Sequence, residues 1–224
     1  MRHQPTGYSR MRRTVALLAL AGSICVGGTA LGASPTSAAP ASTGSVALRQ
    51  DGLASIAASA LEALQNYRWT NDESALAAYS SARDAIAAEV AARLGVDPTR
   101  MITAWQDADY AHQTAVMAAL TQLGVPYRRN TSREGVGFDC SGLTTYAWGV
   151  AGETLVRQSG SQIRAAAPRT NATAMAGDLM YYPGHVMMYL GVDTTMIHSP
   201  YTGRSVEVSH LSNRHRAKFG NPIG

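Results

Sequence analysis

Three side chains carry the chemistry that this sequence could perform: Cys140, His185 and His198. A thiolate, a histidine that takes its proton and a polar group that orients that histidine form a nucleophile–base–orienter set. Each must be delivered by a backbone element. Gly135-Val-Gly-Phe-Asp-Cys140 reads as a glycine-containing loop. Leu143, Tyr146, Ala147 and Val150 then keep helical spacing, so Cys140 begins a helix with Asp139 as its cap. A helix N-terminus favours negative charge, and so a thiolate over a thiol. The competing reading is a small inert residue at a loop–helix junction, which is the default for an isolated cysteine. The helix start and the two histidines tip the balance toward a reactive thiol.

The histidines fall on a predicted hairpin. Gly177–Tyr182 alternates as a strand, Pro183-Gly184 turns the chain, and His185–Leu190 follows as a second strand. Gly191–Thr194 is a tight loop, and Thr195–His198 is a third strand. If the turn centres on Val192-Asp193, His198 lies opposite Met187. His185 is then its diagonal neighbour on the same face, ~7–8 Å away at the backbone. A one-residue slip would put the rings on opposite faces. Two histidines on one face also fit a metal pair, but no third ligand sits at a recognisable spacing. Neither a metal nor an organic cofactor is expected.

Further motifs join these residues. Gly124-Val-Pro-Tyr127, Gly137-Phe-Asp-Cys-Ser-Gly-Leu143, Gly177-Asp-Leu179, His185-Val-Met-Met-Tyr-Leu-Gly191 and Ile197-His198 occur in this order. Over about the last 110 residues, the chain resembles the NlpC-like cell-wall peptidases. The resemblance implies an α+β, papain-like catalytic domain, with a central antiparallel sheet packed on helices and an α-helical segment before it. It implies hydrolysis of peptidoglycan stem peptides, commonly between D-glutamate and meso-diaminopimelate. Cys140 would be the nucleophile, His185 the general base and His198 the orienting residue, its neutral ring accepting a hydrogen bond from His185. Tyr127 would donate to the oxyanion alongside the Cys140 backbone N–H. Asp139 and Ser141 flank the nucleophile and are expected to contact the polar end of the peptide. The family often shows Trp-Gly-Gly after Pro-Tyr. This chain has Arg128-Arg-Asn-Thr-Ser-Arg-Glu134, which is either an ordinary solvated loop or a basic rim that meets substrate carboxylates.

The remaining sequence must export and support this unit. The chain has 224 residues and a net charge of +4. Arg2, Arg10, Arg12 and Arg13 precede an apolar run, Val15–Val26, and then small residues and prolines. That pattern reads as a secretory signal peptide over residues 1–41, with Ala39-Pro40-Ala41 a fitting cleavage site and Ala33 or Ala38 also open; the competing reading is a membrane anchor, for which the apolar run is short. Removing the signal peptide takes away the whole excess of positive charge, leaving 15 basic and 15 acidic side chains. It also takes Cys25, so Cys140 remains alone. A nucleic-acid partner is therefore not expected, nor is a stable membrane anchor after cleavage; the protein reads as secreted and wall-associated.

Residues 42–104 read as an α-helical region, and 105–224 as the catalytic domain. The predicted helices are 50–67, with Leu53, Ile56, Ala60, Leu64 and Tyr67 on one face, and a second opened by a capping box at Thr70–Glu73 and stopped by Gly95. A third starts at Asp97-Pro98 and runs to Leu123. His112 lies within it, without a second ligand at helical spacing. His210 and His215 fall in a polar tail and receive no role. Residues 42–123 carry a net −4 and residues 124–224 a net +4, so the helical region could dock on the catalytic domain as a lid, or serve as a spacer or interaction module. Two other functions compete with the endopeptidase: an amidase or transferase acting on another wall amide, and a non-catalytic wall-binding protein.

Overall fold

The computed structural model describes residues 51–212 and 216–224. The leader assigned to 1–41 with Cys25, the segment up to residue 50, and His215 lie outside them.

Four helices come first. α1 (Gly52–Thr70) is capped by Asp51, whose side chain accepts the Leu53 N–H at 2.9 Å. Its buried stripe is Leu53, Ala54, Ala57, Ala60, Leu61 and Leu64. Ile56, expected on that face, is half exposed at 51%, because the alanines allow closer helix packing one row over. α2 (Glu73–Leu94) is capped by Asp72 rather than Thr70. The Thr70 hydroxyl instead donates back to the Asn66 carbonyl at 2.7 Å, which extends α1 by a turn. Gly95 ends α2 in the left-handed region, as expected.

The third predicted helix is in fact two. α3 (Pro98–Gln106) ends before Asp107, and α4 (Tyr110–Leu120) starts anew with Asp109 as cap. The Asp109 carboxylate accepts the backbone N–H groups of Ala111 and His112 at 2.9 and 3.0 Å. A second strong cap inside an apolar period splits the helix, because it satisfies donors that a continuous helix would have to bond internally.

Two short strands, β1 (Ser132–Arg133) and β2 (Gly137–Phe138), lead into α5 (Cys140–Val150), followed by α6 (Ser159–Ala165). Six more strands form one sheet: β3 (Ala167–Arg169), β4 (Leu179–Tyr182), β5 (His185–Tyr189), β6 (Thr195–His198), β7 (Glu207–His210) and β8 (Lys218–Asn221). The order is β3-β8-β4-β5-β6-β7, and every pairing is antiparallel. The C-terminal stretch read as a polar tail thus supplies two strands, one of them inserted between β3 and β4. Short strands with one wet face carry too little apolar alternation to stand out in sequence.

Strand alternation gives the sheet two apolar rows. Leu179, Val186, Met188, Leu190 and Ile197 share one cluster with Leu143, Ala147 and Trp148 of α5. The same cluster includes α1–α4 residues such as Leu64, Tyr79, Trp105 and Leu120, so one continuous core joins the first helices to the sheet. Trp105 also donates its indole N–H to the Leu190 carbonyl at 2.9 Å. Met180, Met187, Tyr189 and Met196 form the second row. No helix among the described residues is long and apolar enough to cross a membrane.

Candidate active site

The β5–β6 hairpin has the expected register: Met188 pairs with Ile197 and Tyr189 with Met196. Continuing that ladder puts His198 opposite Met187, with His185 two residues along on the same face. The result is direct contact, with His185 Nε2 and His198 Nδ1 2.9 Å apart and the rings edge to face. Both histidines are buried. The short loop dictates the register. Gly191 and Asp193 adopt positive φ, and the Thr195 hydroxyl and N–H both donate to the Val192 carbonyl.

Cys140 is the first residue of α5 and is half-buried. Asp139 caps the helix as expected, accepting the Gly142 N–H at 2.7 Å. Gly142 has a specific role here. A Cβ at that position would lie 2.0 Å from the Thr131 carbonyl oxygen, so only glycine lets the first turn of α5 press against the preceding loop.

Phe138 ties the pieces together. Its carbonyl accepts the Arg128 N–H at 2.9 Å and the Ser199 hydroxyl at 2.7 Å. Ser199 follows His198, Phe138 stands two residues before Cys140, and Tyr127 bridges to Phe138 in parallel. Three separate segments are thereby laced at one strand.

Tyr127 is half-buried, and burial, then the negative charges of Cys140 and Asp139, push its hydroxyl pKa upward. It therefore stays protonated and able to donate. Tyr182, which the sequence reading passed over, behaves similarly: burial and then Cys140 raise it. It pairs with His185 across the β4–β5 turn, with ring centroids 5.3 Å apart. Strand pairing across Pro183-Gly184 was the available signal.

Arg157 is the second residue missed. It donates to the Ser141 hydroxyl and to the Asp139 carboxylate, both at 2.7 Å, and to the Thr131 carbonyl at 3.3 Å. Asp139 and Ser141, expected to face substrate, thus have a protein partner in Arg157. Nothing local marks it, since it reaches back from beyond the far end of α5. Arg128, Arg129 and Arg133 are exposed. The Arg128 stem lies over Gly137, and the charge of Arg129 opposes the upward push on Tyr127.

His198 is held below its ordinary value, to about 4, by burial and then by the positive charge of Arg204. It is neutral at physiological pH and can accept a hydrogen bond from His185 on Nδ1. His185 then donates from Nε2, and Nδ1 is the ring nitrogen turned away from His198. Tyr182 packs on His185 and, like Tyr127, feels the charge of Cys140 at the start of α5, and these groups together suit nucleophilic acyl chemistry. Among the described residues, no group of three or more metal-ligating side chains forms a site.

The fold and site are of a class: an α+β domain whose antiparallel sheet carries a histidine pair and whose helix begins with a cysteine. The NlpC/P60 family model matches residues 124–220, so this part of the chain is similar to the NlpC/P60 family. Among curated relatives, the peptidoglycan endopeptidase RipA of Mycolicibacterium smegmatis is 36% identical over 115 residues, covering 44% of this chain and 23% of that protein. The gamma-D-glutamyl-L-lysine dipeptidyl-peptidase of Bacillus cereus is 39% identical over 98 residues, covering 40% and 29%. The chain thus spans under a third of the length of either relative. A solved structure of RipD from Mycobacterium tuberculosis, named a non-catalytic NlpC/p60 domain protein adapted to peptidoglycan binding, is 28% identical with a TM-score of 0.42, covering 51% of this chain and 98% of that one.

Proposed function

We propose that the protein is a secreted peptidoglycan hydrolase, a cysteine endopeptidase that cleaves stem peptides between D-glutamate and meso-diaminopimelate through a thioester. The observation that carries this reading is the 2.9 Å contact between His185 Nε2 and His198 Nδ1, on the sheet against which the helix of Cys140 packs. Similarity to named peptidoglycan peptidases supports the substrate class.

The steps follow from the groups present. His185 Nδ1 takes the Cys140 proton, and Sγ attacks the amide carbonyl carbon. The oxyanion is received by the Cys140 backbone N–H and the Tyr127 hydroxyl. The tetrahedral species collapses, its C–N bond breaks, and the imidazolium protonates the departing amine. Water, deprotonated by His185, then attacks the thioester carbonyl, and Cys140 leaves with its proton restored. Asp139 and Ser141, braced by Arg157, would meet the polar end of the peptide. The residue 42–104 region would support the catalytic domain of 105–224 through the shared core rather than through surface charge, since exposed charges contribute little.

The test is purified peptidoglycan incubated with the mature wild-type protein and with Cys140→Ala, followed by mass spectrometry of the released fragments. New termini between D-glutamate and the diamino acid, made by the wild type alone, are expected. Cleavage of a different amide would favour the amidase or transferase reading. Binding without cleavage would favour a wall-binding protein. Identical products from both proteins would overturn Cys140 as nucleophile.

A further inference from the structure

The ring of His198 has two nitrogens, and the proposed mechanism uses only one. Nδ1 meets His185. Nε2 is buried and makes no hydrogen bond, yet the Glu207 carboxylate oxygen Oε1 lies 3.6 Å away. Glu207 stands directly opposite His198 in the β6–β7 ladder, so strand pairing holds the carboxylate at this ring. Arg204 grips the same carboxylate. Its Nη2 lies 2.6 Å from each oxygen, and its Nε donates to Oε2 at 3.1 Å. The Arg204 carbonyl accepts the Tyr127 N–H at 2.8 Å, so the turn that carries the guanidinium is also fastened to the proposed oxyanion donor.

We propose that Glu207, held by Arg204, is a positioning residue that sets the tautomer of His198. The proton sits on Nε2, aimed at the carboxylate, and the lone pair sits on Nδ1, aimed at His185. This choice propagates. With Nδ1 of His198 as acceptor, His185 must carry its proton on Nε2, and its Nδ1 keeps the lone pair that takes the thiol proton. The opposite tautomer would turn the His198 Nε2 lone pair toward a carboxylate, which is repulsive. It would also move the His185 proton to Nδ1, the nitrogen needed as base. At 3.6 Å the contact is a charge–dipole attraction rather than a formed hydrogen bond. Catalytic contacts of this kind commonly tighten when substrate binds.

Arg204 is needed for the same reason. A bare carboxylate at this distance would draw a second proton onto the ring and turn the acceptor into a cation. The guanidinium offsets that pull, in keeping with a His198 held neutral. The ionisable groups facing His198 are then His185 from β5, Glu207 from β7 and Arg204 from the turn before it. The inference rests on the reading of His185 as general base, but its primary readout does not require activity.

The experiment uses the full mature chain labelled with 15N-histidine. Long-range proton–nitrogen spectra report which ring nitrogen of His198 is protonated, in wild type, Glu207→Gln, Glu207→Ala and Arg204→Met. The wild type and Glu207→Gln, which retains an acceptor oxygen, are expected to show the proton on Nε2. Glu207→Ala is expected to populate the Nδ1–H form and to lose roughly 10- to 100-fold in kcat with KM unchanged. Arg204→Met, which leaves the β7 backbone and Glu207 in place, is expected to raise the titration midpoint of His198. It therefore reads the coupling even if the alanine variant folds poorly. A wild-type proton on Nδ1, or a Glu207→Ala protein with unchanged tautomer and rate, would overturn the proposal. If the tautomer moves as expected while the wild type cleaves no stem peptide, Glu207 keeps its assignment and the peptidase reading fails.

Discussion

His112 and His198 are both buried, and their surroundings drive them in opposite directions. Burial disfavours charge on each ring. At His198 nothing outweighs it: the carboxylate of Glu207 stays at 3.6 Å and is gripped by Arg204, so the ring is neutral. At His112 the opposite holds. Nε2 lies 3.2 Å from Asp178 and Nδ1 2.9 Å from Asp109, and these two carboxylates overcome the burial cost and raise the pKa. Trp148 meets the His112 ring edge-on at 5.0 Å, and Gly177 comes so close that a Cβ there would lie 2.9 Å from His112 Cβ. His112 therefore bridges two carboxylates that favour its protonated form and pins α4 to the start of β4, and His198 is a neutral acceptor beside the proposed base. Burial alone does not assign a role to a histidine. The distance to a carboxylate, and what else holds that carboxylate, decides between a clamp and a relay.

Three experiments would break or sharpen this contrast. The largest effect is expected at the clamp. His112→Leu removes one partner of Asp178, a fully buried carboxylate that keeps the Met175 N–H at 2.9 Å and Arg169 at 4.0 Å, and should cost about 3 kcal/mol in denaturant unfolding. Whatever fraction stays folded should keep its KM for stem peptide. A variant as stable as wild type would show that no ion pair operates there. Next comes the relay. His198→Phe removes the acceptor and should reduce kcat by about 100-fold, whereas His198→Asn, which restores an acceptor oxygen, should recover part of it. Equal activity in the two variants would remove His198 from the orienting role.

The smallest effect is the pH dependence of stability, and its sign differs between the sites. The folded pKa of His112 is raised. Its contribution is therefore complete below the unfolded value of about 6.5 and is lost as pH rises through the folded value. The folded pKa of His198 is depressed to about 4. Between that value and about 6.5 the unfolded chain binds the extra proton, so stability falls as pH falls through this window. Thermal melts should show both limbs. His112→Leu should flatten the alkaline limb and His198→Asn the acid limb; if either limb survives its substitution, another group is responsible.

Much of the site was legible before the fold. The cap at Asp139, the helix start at Cys140 and the hairpin register that joins His185 to His198 all depend on residues close in sequence. Such signals survive because a cap needs only the next three residues, and a two-residue turn permits few registers. The misread parts share a different origin. The split between α3 and α4 came from a cap hidden inside an apolar period. The stretch holding His210 and His215 looked like a polar tail because strands as short as β7 and β8 show little alternation. Arg157, Tyr182 and Glu207 reach the site from other elements, and no spacing rule connects them to Cys140 or His198.

Sequence alone therefore determined the chemistry that could occur: a thiol at a helix start and two histidines on one face of a hairpin. Local backbone geometry enforces those features, and it is written in consecutive residues. Tertiary structure decided the state in which those groups are held. It joined the first helices and the sheet in one core, inserted β8 beside β4, braced Asp139 with Arg157, and placed carboxylates near two histidines at distances that raise the pKa of one and leave the other neutral. The reason is electrostatic. A proton's energy on a buried ring depends on charges within a few ångströms, and only the folded chain specifies which distant residues those are.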